Sequence, residues 1–196
     1  MELNLTINTN DIEGSFDRIA NELLNEWILE VNDSKYRIEE IEFYLANIEH
    51  NDTYTHRHAL QKTTGKWYFH GSGIDLTCGT AESHGGILIR AIYNTLMDTY
   101  IYGPLKTVTE LFSNLKTAHS SPVQFGLKSD TDKSLTPERV FKAPRVGLNP
   151  KKDKEAFNQN YRYFIMPKEE HKGKTIIYEA LLAQGFSESE ARIIRK

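Results

Sequence analysis

Cysteine is almost missing from this 196-residue chain: Cys78 stands alone, which excludes an internal disulfide and suits a reducing compartment. No run of about 18 apolar residues occurs, so no membrane-spanning helix is expected. The N-terminal segment is acidic and polar and lacks the apolar centre of a secretion signal. No CxxC or HExxH spacing offers a metal site. Gly71-x-Gly73 is too short for a dinucleotide fingerprint, and Gly85-Gly86 opens a strand rather than a helix. Internal repeats and low-complexity tracts are also missing. These absences predict a soluble, cytoplasmic, monomeric protein of one domain, with no metal, no cofactor and no membrane partner.

What is present is charge, unevenly placed. The formal net charge is −3. Residues 1–60 hold 4 Lys or Arg against 13 Asp or Glu, a net of −9, whereas residues 128–174 hold 12 against 7, a net of +5. Segregation of this kind makes a basic face suited to phosphates, or merely two solvated surfaces.

Apolar spacing predicts a helix over residues 15–25 with Ser15 as its N-cap. Trp27–Val31 and the strand from Tyr36 make a hairpin about the polar turn 32–35. Residues 46–64 form a long polar loop with His50, His56 and His58, and loops of that length more often serve a function than not. Short strands are expected at Lys66–His70 and Ile74–Cys78, and an apolar strand with one arginine inside it at Gly86–Ile92. Helices are expected near 104–116 and 137–142, and strands at Arg145–Leu148 and Tyr161–Ile165, separated by a charged segment over 150–160. Thr175–Gln184 reads as a helix stopped by Gly185. Ser187 and Glu190 offer a capping box for a last short helix. Residues 169–196 thus form a C-terminal helical extension to a domain of residues 1–168. Its two helices offer a surface for a protein partner, although packing on the main sheet is the simpler role.

The strand Tyr36-Arg37-Ile38-Glu39-Glu40-Ile41-Glu42-Phe43-Tyr44-Leu45 stands out because it carries three carboxylates. Strict alternation puts Tyr36, Ile38, Glu40, Glu42 and Tyr44 on one face, and Arg37, Glu39, Ile41, Phe43 and Leu45 on the other. A carboxylate ending a half-buried strand is costly without partners or a task. On the strand alone, the alternative is an edge strand with solvated glutamates. The scattered histidines, with Asp75, are better read as surface residues than as metal ligands, and Cys78 as core rather than nucleophile.

A series of segments in order resembles the alkyladenine (3-methyladenine) DNA glycosylase family. They are Arg37-Ile38-Glu39-Glu40-Ile41-Glu42-Phe43-Tyr44, Asp52 with His56, Trp67-Tyr68-Phe69-His70 and Ile87-Leu88-Ile89-Arg90-Ala91. Pro144-Arg145-Val146-Gly147-Leu148 and Tyr161-Arg162-Tyr163-Phe164-Ile165 complete the order, so that the resemblance spans residues 16–166. It implies a single α+β domain with a curved, mainly antiparallel sheet flanked by helices. It also implies base-excision repair of damaged DNA: base flipping, then hydrolysis of the N-glycosidic bond of an alkylated or deaminated purine.

By the same resemblance Glu42 is the general base, with Arg90 and the backbone carbonyl of Val146 holding the water. Tyr44 and His70 sandwich the base, His56 hydrogen-bonds to it, and Tyr68 adds to the binding wall. Arg145, Lys151, Lys152 and Arg162 are the expected nucleic-acid contacts. Glu39 is read as solvated and Glu40 as structural support. The family's large wedge residue is missing from the turn Gly71-Ser72-Gly73. An N-glycoside hydrolase of the same fold acting on a small nucleoside-type substrate, or a noncatalytic relative that binds a base or a protein partner, are the alternatives.

Overall fold

The computed structural model describes residues 2–117, 119 and 122–195. The chain opens with α1 (Ile12–Asn25), whose apolar residues Phe16, Ile19, Ala20, Leu23 and Leu24 are all buried. Its N-cap is Asp11, not Ser15. The Asp11 carboxylate accepts from the Gly14 amide, while the Ser15 hydroxyl, already inside the helix, donates to the Asp11 carbonyl. A carboxylate satisfies an orphan helix amide and the helix dipole together, which favours the earlier start.

Strands β1 (Trp27–Val31) and β2 (Ser34–Ala46) form the expected hairpin about Asn32 and Asp33. A 3₁₀ turn over Ala59–Lys62 interrupts the long polar loop. After it come β3 (Thr64–His70), β4 (Gly73–Cys78), β5 (His84–Asn94) and β6 (Thr99–Tyr102). Helix α2 (Pro104–Ser113) begins on proline, whose fixed φ and missing N–H suit a first turn. Then follow β7 (Phe125–Ser129), β8 (Phe141–Ala143), α3 (Lys154–Asn158), β9 (Arg162–Phe164), α4 (Lys174–Ala183) and α5 (Glu188–Ile194). The capping box of Ser187 and Glu190 is formed as expected.

All the strand pairs are antiparallel, in the order β3-β4-β5-β2-β1-β7, with β9 joining β2 beyond β1 and β8 joining β9. The sheet curls into a half-barrel. Its two outer strands meet through aromatic edges, Trp67 on β3 lying 5.2 Å from Phe125 on β7. Inside the curl, Phe16 of α1 stacks on Phe43 at 4.1 Å and meets Tyr161 edge-on at 5.0 Å. The expectation is thus met for an α+β domain with a curved antiparallel sheet flanked by helices. None of the helices among the described residues is long and apolar enough to cross a membrane.

Several local expectations are corrected. Residues 137–142 form no helix; Phe141–Ala143 is instead a strand, because pairing with β9 outweighs local periodicity. Arg145–Leu148 is not a strand but a bend, with Gly147 at φ 80°. The segment over 150–160 contains α3, capped by Asp153. The C-terminal helices pack through Ile177, Leu181, Ala191 and Ile194 onto Phe141 and Phe164, a second core continuous with β8 and β9.

The faces of β2 depart from strict alternation. Core contacts run Tyr36, Ile38, then Ile41, Phe43, Leu45, so the buried parity switches between Ile38 and Ile41. The cause is a pair of compensating irregularities in the β2–β5 ladder. Ile38 pairs with Ile92, Glu40 with Ala91 and Ile41 with Ile89, which leaves Glu39 and Arg90 out of the register. β5 changes parity at the same level, from Ile87 and Ile89 to Ile92. The strand is central rather than an edge, and Glu39, Glu40 and Glu42 are all buried. Glu39 is therefore not solvated: Lys168 reaches over it at 2.6 Å.

The stacked pair at the centre makes a direct test. Phe16→Ala is expected to lower unfolding free energy by about 3–5 kcal/mol, the usual cost of emptying a buried aromatic site. Guanidinium denaturation measures it, and a loss below about 1 kcal/mol would mean that this pair does not anchor the helix to the sheet.

Candidate functional site

The sheet register itself assembles the site. Tyr68 on β3 pairs with Asp75 on β4, Asp75 with Leu88 on β5, Leu88 with Glu42 on β2, and Glu42 with Arg162 on β9. Paired residues share a face, so one row across five strands carries chemistry away from the apolar core. Glu42 is fully buried. Its Oε1 accepts from the Val146 amide at 3.0 Å, and its Oε2 from the Tyr44 hydroxyl at 2.8 Å and Arg90 Nη1 at 3.2 Å. The contact of Val146 with this carboxylate is thus through its N–H, whereas the sequence reading assigned its carbonyl to a water.

A cavity of about 440 Å³ opens above this cluster. Its walls include all three donors to Glu42: Tyr44, Arg90 and Val146. His56, His70 and Tyr54 supply further rings, and Gln61, Asp75 and Leu88 also line it. Tyr44 is held from behind by the Arg145 guanidinium, 4.5 Å from its ring centroid. Burial first, and then the charge of Glu42, push the Tyr44 hydroxyl pKa well above its usual value, so it remains a donor.

His70 is fixed through both nitrogens. Nε2 lies 3.0 Å from Asp75 Oδ1, and Nδ1 accepts from the Ser72 amide at 3.2 Å. That network assigns the proton to Nε2 and leaves the ring itself as the surface offered to the cavity. Asp75 is also held by Gln61 Nε2 at 3.2 Å. A Cβ on Gly86 would fall 2.5 Å from Asp75 Oδ2, so only glycine lets β5 pass this pair. His56 stands edge-on to His70 at 4.5 Å. Burial, then the neighbouring His70, lower its pKa, which keeps it neutral at pH 7. Tyr68 stacks on His58 at 4.5 Å and stands edge-on to His56. It supports the histidine wall from outside the cavity.

Of the expected phosphate contacts, Arg145 and Arg162 fail for a physical reason: both are fully buried. Arg145 makes a two-pronged pair with Asp52, at 2.6 and 3.2 Å, and donates to the carbonyls of Phe43 and Ala156. Burial lowers the pKa of its guanidinium, but the hydrogen bond and charge of Asp52 outweigh that and raise it. Arg162 pairs with Glu40. Lys151 and Lys152 are exposed, and Lys152 lines the cavity.

Glu40, read from the sequence as support, is the centre of the buried charge. Its Oε1 accepts from Arg90 Nε at 2.7 Å and Arg162 Nε at 2.9 Å, and its Oε2 from Arg162 Nη2 at 3.0 Å. His171 Nδ1 lies 2.6 Å from Oε2. Burial raises the Glu40 pKa, but Arg162, the His171 hydrogen bond and Arg90 together hold it well below the usual carboxylate range. His171, Tyr54, Gln61 and Lys172 were missed by sequence reasoning. The Asp–His–Gln cluster had a partial signal in the polar residues of β3 and β4, whereas His171 had none. Cys78 is buried in the core, and burial pushes its thiol pKa up, which leaves it a poor nucleophile. Among the described residues no group of three or more His, Cys, Asp or Glu is arranged to hold a metal ion.

No family model matches the chain. It is 30% identical, over an alignment of 202 positions covering 85% of this chain and 93% of the relative, to "Uncharacterized protein L759" of Acanthamoeba polyphaga mimivirus.

The depressed Glu40 pKa has a defined pH signature. In an unfolded chain a glutamate titrates near about 4.3. Stability from the charged carboxylate is therefore fully present above about pH 4.3 and is lost as the pH falls through the lower folded value. Glu40→Gln strands two buried guanidinium groups and is expected to cost about 3–5 kcal/mol at pH 7. In denaturation series, the gap between wild type and variant should narrow only below about pH 4. A gap independent of pH would show that the carboxylate charge is not what organises these groups.

Proposed function

We propose that this chain, which belongs to the same family as that mimivirus protein, hydrolyses the N-glycosidic bond of a damaged, alkylated or deaminated purine, in the manner of a base-excision DNA glycosylase. One observation carries the reading: a buried carboxylate, Glu42, sits directly behind a cavity walled by aromatic and imidazole rings. The ring faces of Tyr44, Tyr54 and His70 suit a flat heterocycle, and His56 is a neutral imidazole free to hydrogen-bond to its edge. The resemblance of the β2, β5 and β9 segments to the alkyladenine DNA glycosylases supports the same assignment.

In this mechanism the Tyr44 hydroxyl yields its place on Glu42 Oε2 to a water. Glu42 takes the proton as the water oxygen bonds to C1′ of the sugar, and the carbon–nitrogen bond breaks with its electron pair leaving on the base. An N-alkylated purine leaves neutral. A deaminated purine leaves as an anion that His56 meets with a hydrogen bond. Arg90 and the Val146 amide keep Glu42 aimed, and before it takes the proton the carboxylate stabilises the oxocarbenium-like sugar.

A second reading, hydrolysis of a small nucleoside-type substrate by the same groups, draws on the burial of Arg145 and Arg162, which removes two cations from any DNA-facing surface.

The test is release of hypoxanthine or an alkylated adenine from single-stranded and duplex oligonucleotides, beside the free nucleosides. Glu42→Gln should lower the rate by about 10²–10⁴-fold. Wild type that releases no base from any of these substrates, or a variant as active as wild type, would overturn the assignment. Release from nucleosides alone would move the reading to the second.

A further inference from the structure

The basic segment of the chain spends half of its charge on carboxylates of the same chain: Arg145 and Arg162 are paired as described above. Lys128 pairs with Glu30, Lys142 with Glu13 and Asp17, Lys168 with Glu39, and Lys174 with Glu170. Lys152 and Lys172 differ: both are exposed, both line the cavity, and among the described residues neither ammonium has a carboxylate partner. Exposed side chains that line a cavity stand at its mouth. The only carboxylate among the lining residues is Asp75, which is buried and already held by His70 and Gln61. In a chain of net charge −3, the mouth of this cavity is thus a local positive site.

The mouth is built, not incidental. Lys152 Nζ donates to the Thr53 carbonyl at 2.6 Å and lies 5.3 Å from the ring centroid of Tyr54, so it is placed by neutral groups that leave its charge uncompensated. Lys172 is fixed through its backbone. Its amide donates to the Tyr102 hydroxyl at 2.9 Å, and its carbonyl accepts from Arg162 Nη1 at 3.0 Å. On one side of it His171 is seated on Glu40, flat against Tyr102 at 4.3 Å. On the other, Gly173 at φ 78° lies so close to Val146 that a Cβ would approach its Cγ1 to 2.8 Å. The turn 171–173 is therefore both the root of the C-terminal helices and a wall of the cavity.

We infer that Lys152 and Lys172 form a phosphate-recognition site at the cavity mouth, so that the occupant is a purine nucleotide whose base enters among the rings while its phosphate stays at the rim. The inference rests on the reading of the cavity as a purine site, but not on hydrolysis. A volume of about 440 Å³ lies within the range of about 300–1,000 Å³ usual for small-molecule sites. Two ammonium groups held apart from carboxylates suit a phosphate, since lysine recognises it as a point charge and needs no fixed fork. The phosphate belongs either to a free nucleoside 5′-monophosphate or to a nucleotide in a single strand.

Calorimetric titration with inosine, inosine 5′-monophosphate and a short single-stranded oligonucleotide containing one hypoxanthine separates these. Wild type should bind the monophosphate at least about tenfold more tightly than the nucleoside. Lys152→Met/Lys172→Met should erase that preference and leave nucleoside affinity unchanged, while Lys152→Arg/Lys172→Arg retains it. An oligonucleotide preference that the Met pair also erases identifies the strand as the source of the phosphate. Binding of the monophosphate alone identifies the free nucleotide. Equal binding of nucleoside and nucleotide, a preference that survives the Met pair, or no binding of any of the three overturns the inference. Because the readout is affinity, a protein that binds nucleotide through these lysines yet releases no base would overturn the proposed hydrolysis alone.

Discussion

The fully buried carboxylate of Glu40 is the point on which the site depends. Two arginines and a histidine converge on it from β5, β9 and the β9–α4 turn. Each of those polar groups would be costly to bury without a partner, and each finds one in the same carboxylate. Arg90 is the hinge of the arrangement, with Nε on Glu40 and Nη1 on Glu42. Burial lowers its pKa, but the two glutamates outweigh that and raise it, so the guanidinium is permanently charged. Glu42 is thus coupled to the turn that leads into the C-terminal helices by an unbroken chain of charge-assisted hydrogen bonds.

A second buried pair does for the wall what Glu40 does for the floor. Asp52 anchors the long loop after β2 to Arg145, and Arg145 backs the Tyr44 ring. The loop also presents His56, so one ion pair positions rings on two sides of the cavity. Fixing these groups beforehand lowers the ordering cost of binding a flat ligand. The asymmetry in charge along the chain takes on a plain meaning here. Acids early in the sequence neutralise bases late in the sequence, as Asp52 with Arg145, Glu40 with Arg162 and Glu39 with Lys168, and the fold is the device that brings them together.

The sequence was most legible where chemistry and local pattern coincide. Glu42, Tyr44 and Arg90 could be singled out because charged residues inside apolar strands are conspicuous, and the hairpin and last two helices carry local signals in turns and caps. Arg145 and Arg162 were misjudged because an arginine's burial is decided by a partner far away in the chain, and nothing local distinguishes it from a solvated one. His171 was invisible for the same reason. The three-residue strand Phe141–Ala143 and the five-residue helix Lys154–Asn158 are too short to show a period. The faces of β2 were assigned correctly for Glu40, Glu42 and Tyr44 as a group but wrongly joined to Tyr36 and Ile38, since alternation alone does not reveal a ladder irregularity.

That irregularity has a bearing on how such a protein can change over time. β2 and β5 each set one residue aside at the same level, Glu39 in one and Arg90 in the other, and the register closes again beyond them. A deletion in either strand alone would turn one half of that strand over, exchanging the carboxylate row for the apolar row. A substitution on these two strands is felt at its own position, whereas a change of length is felt along the whole half-strand: the pair is locked, as a couple, in count.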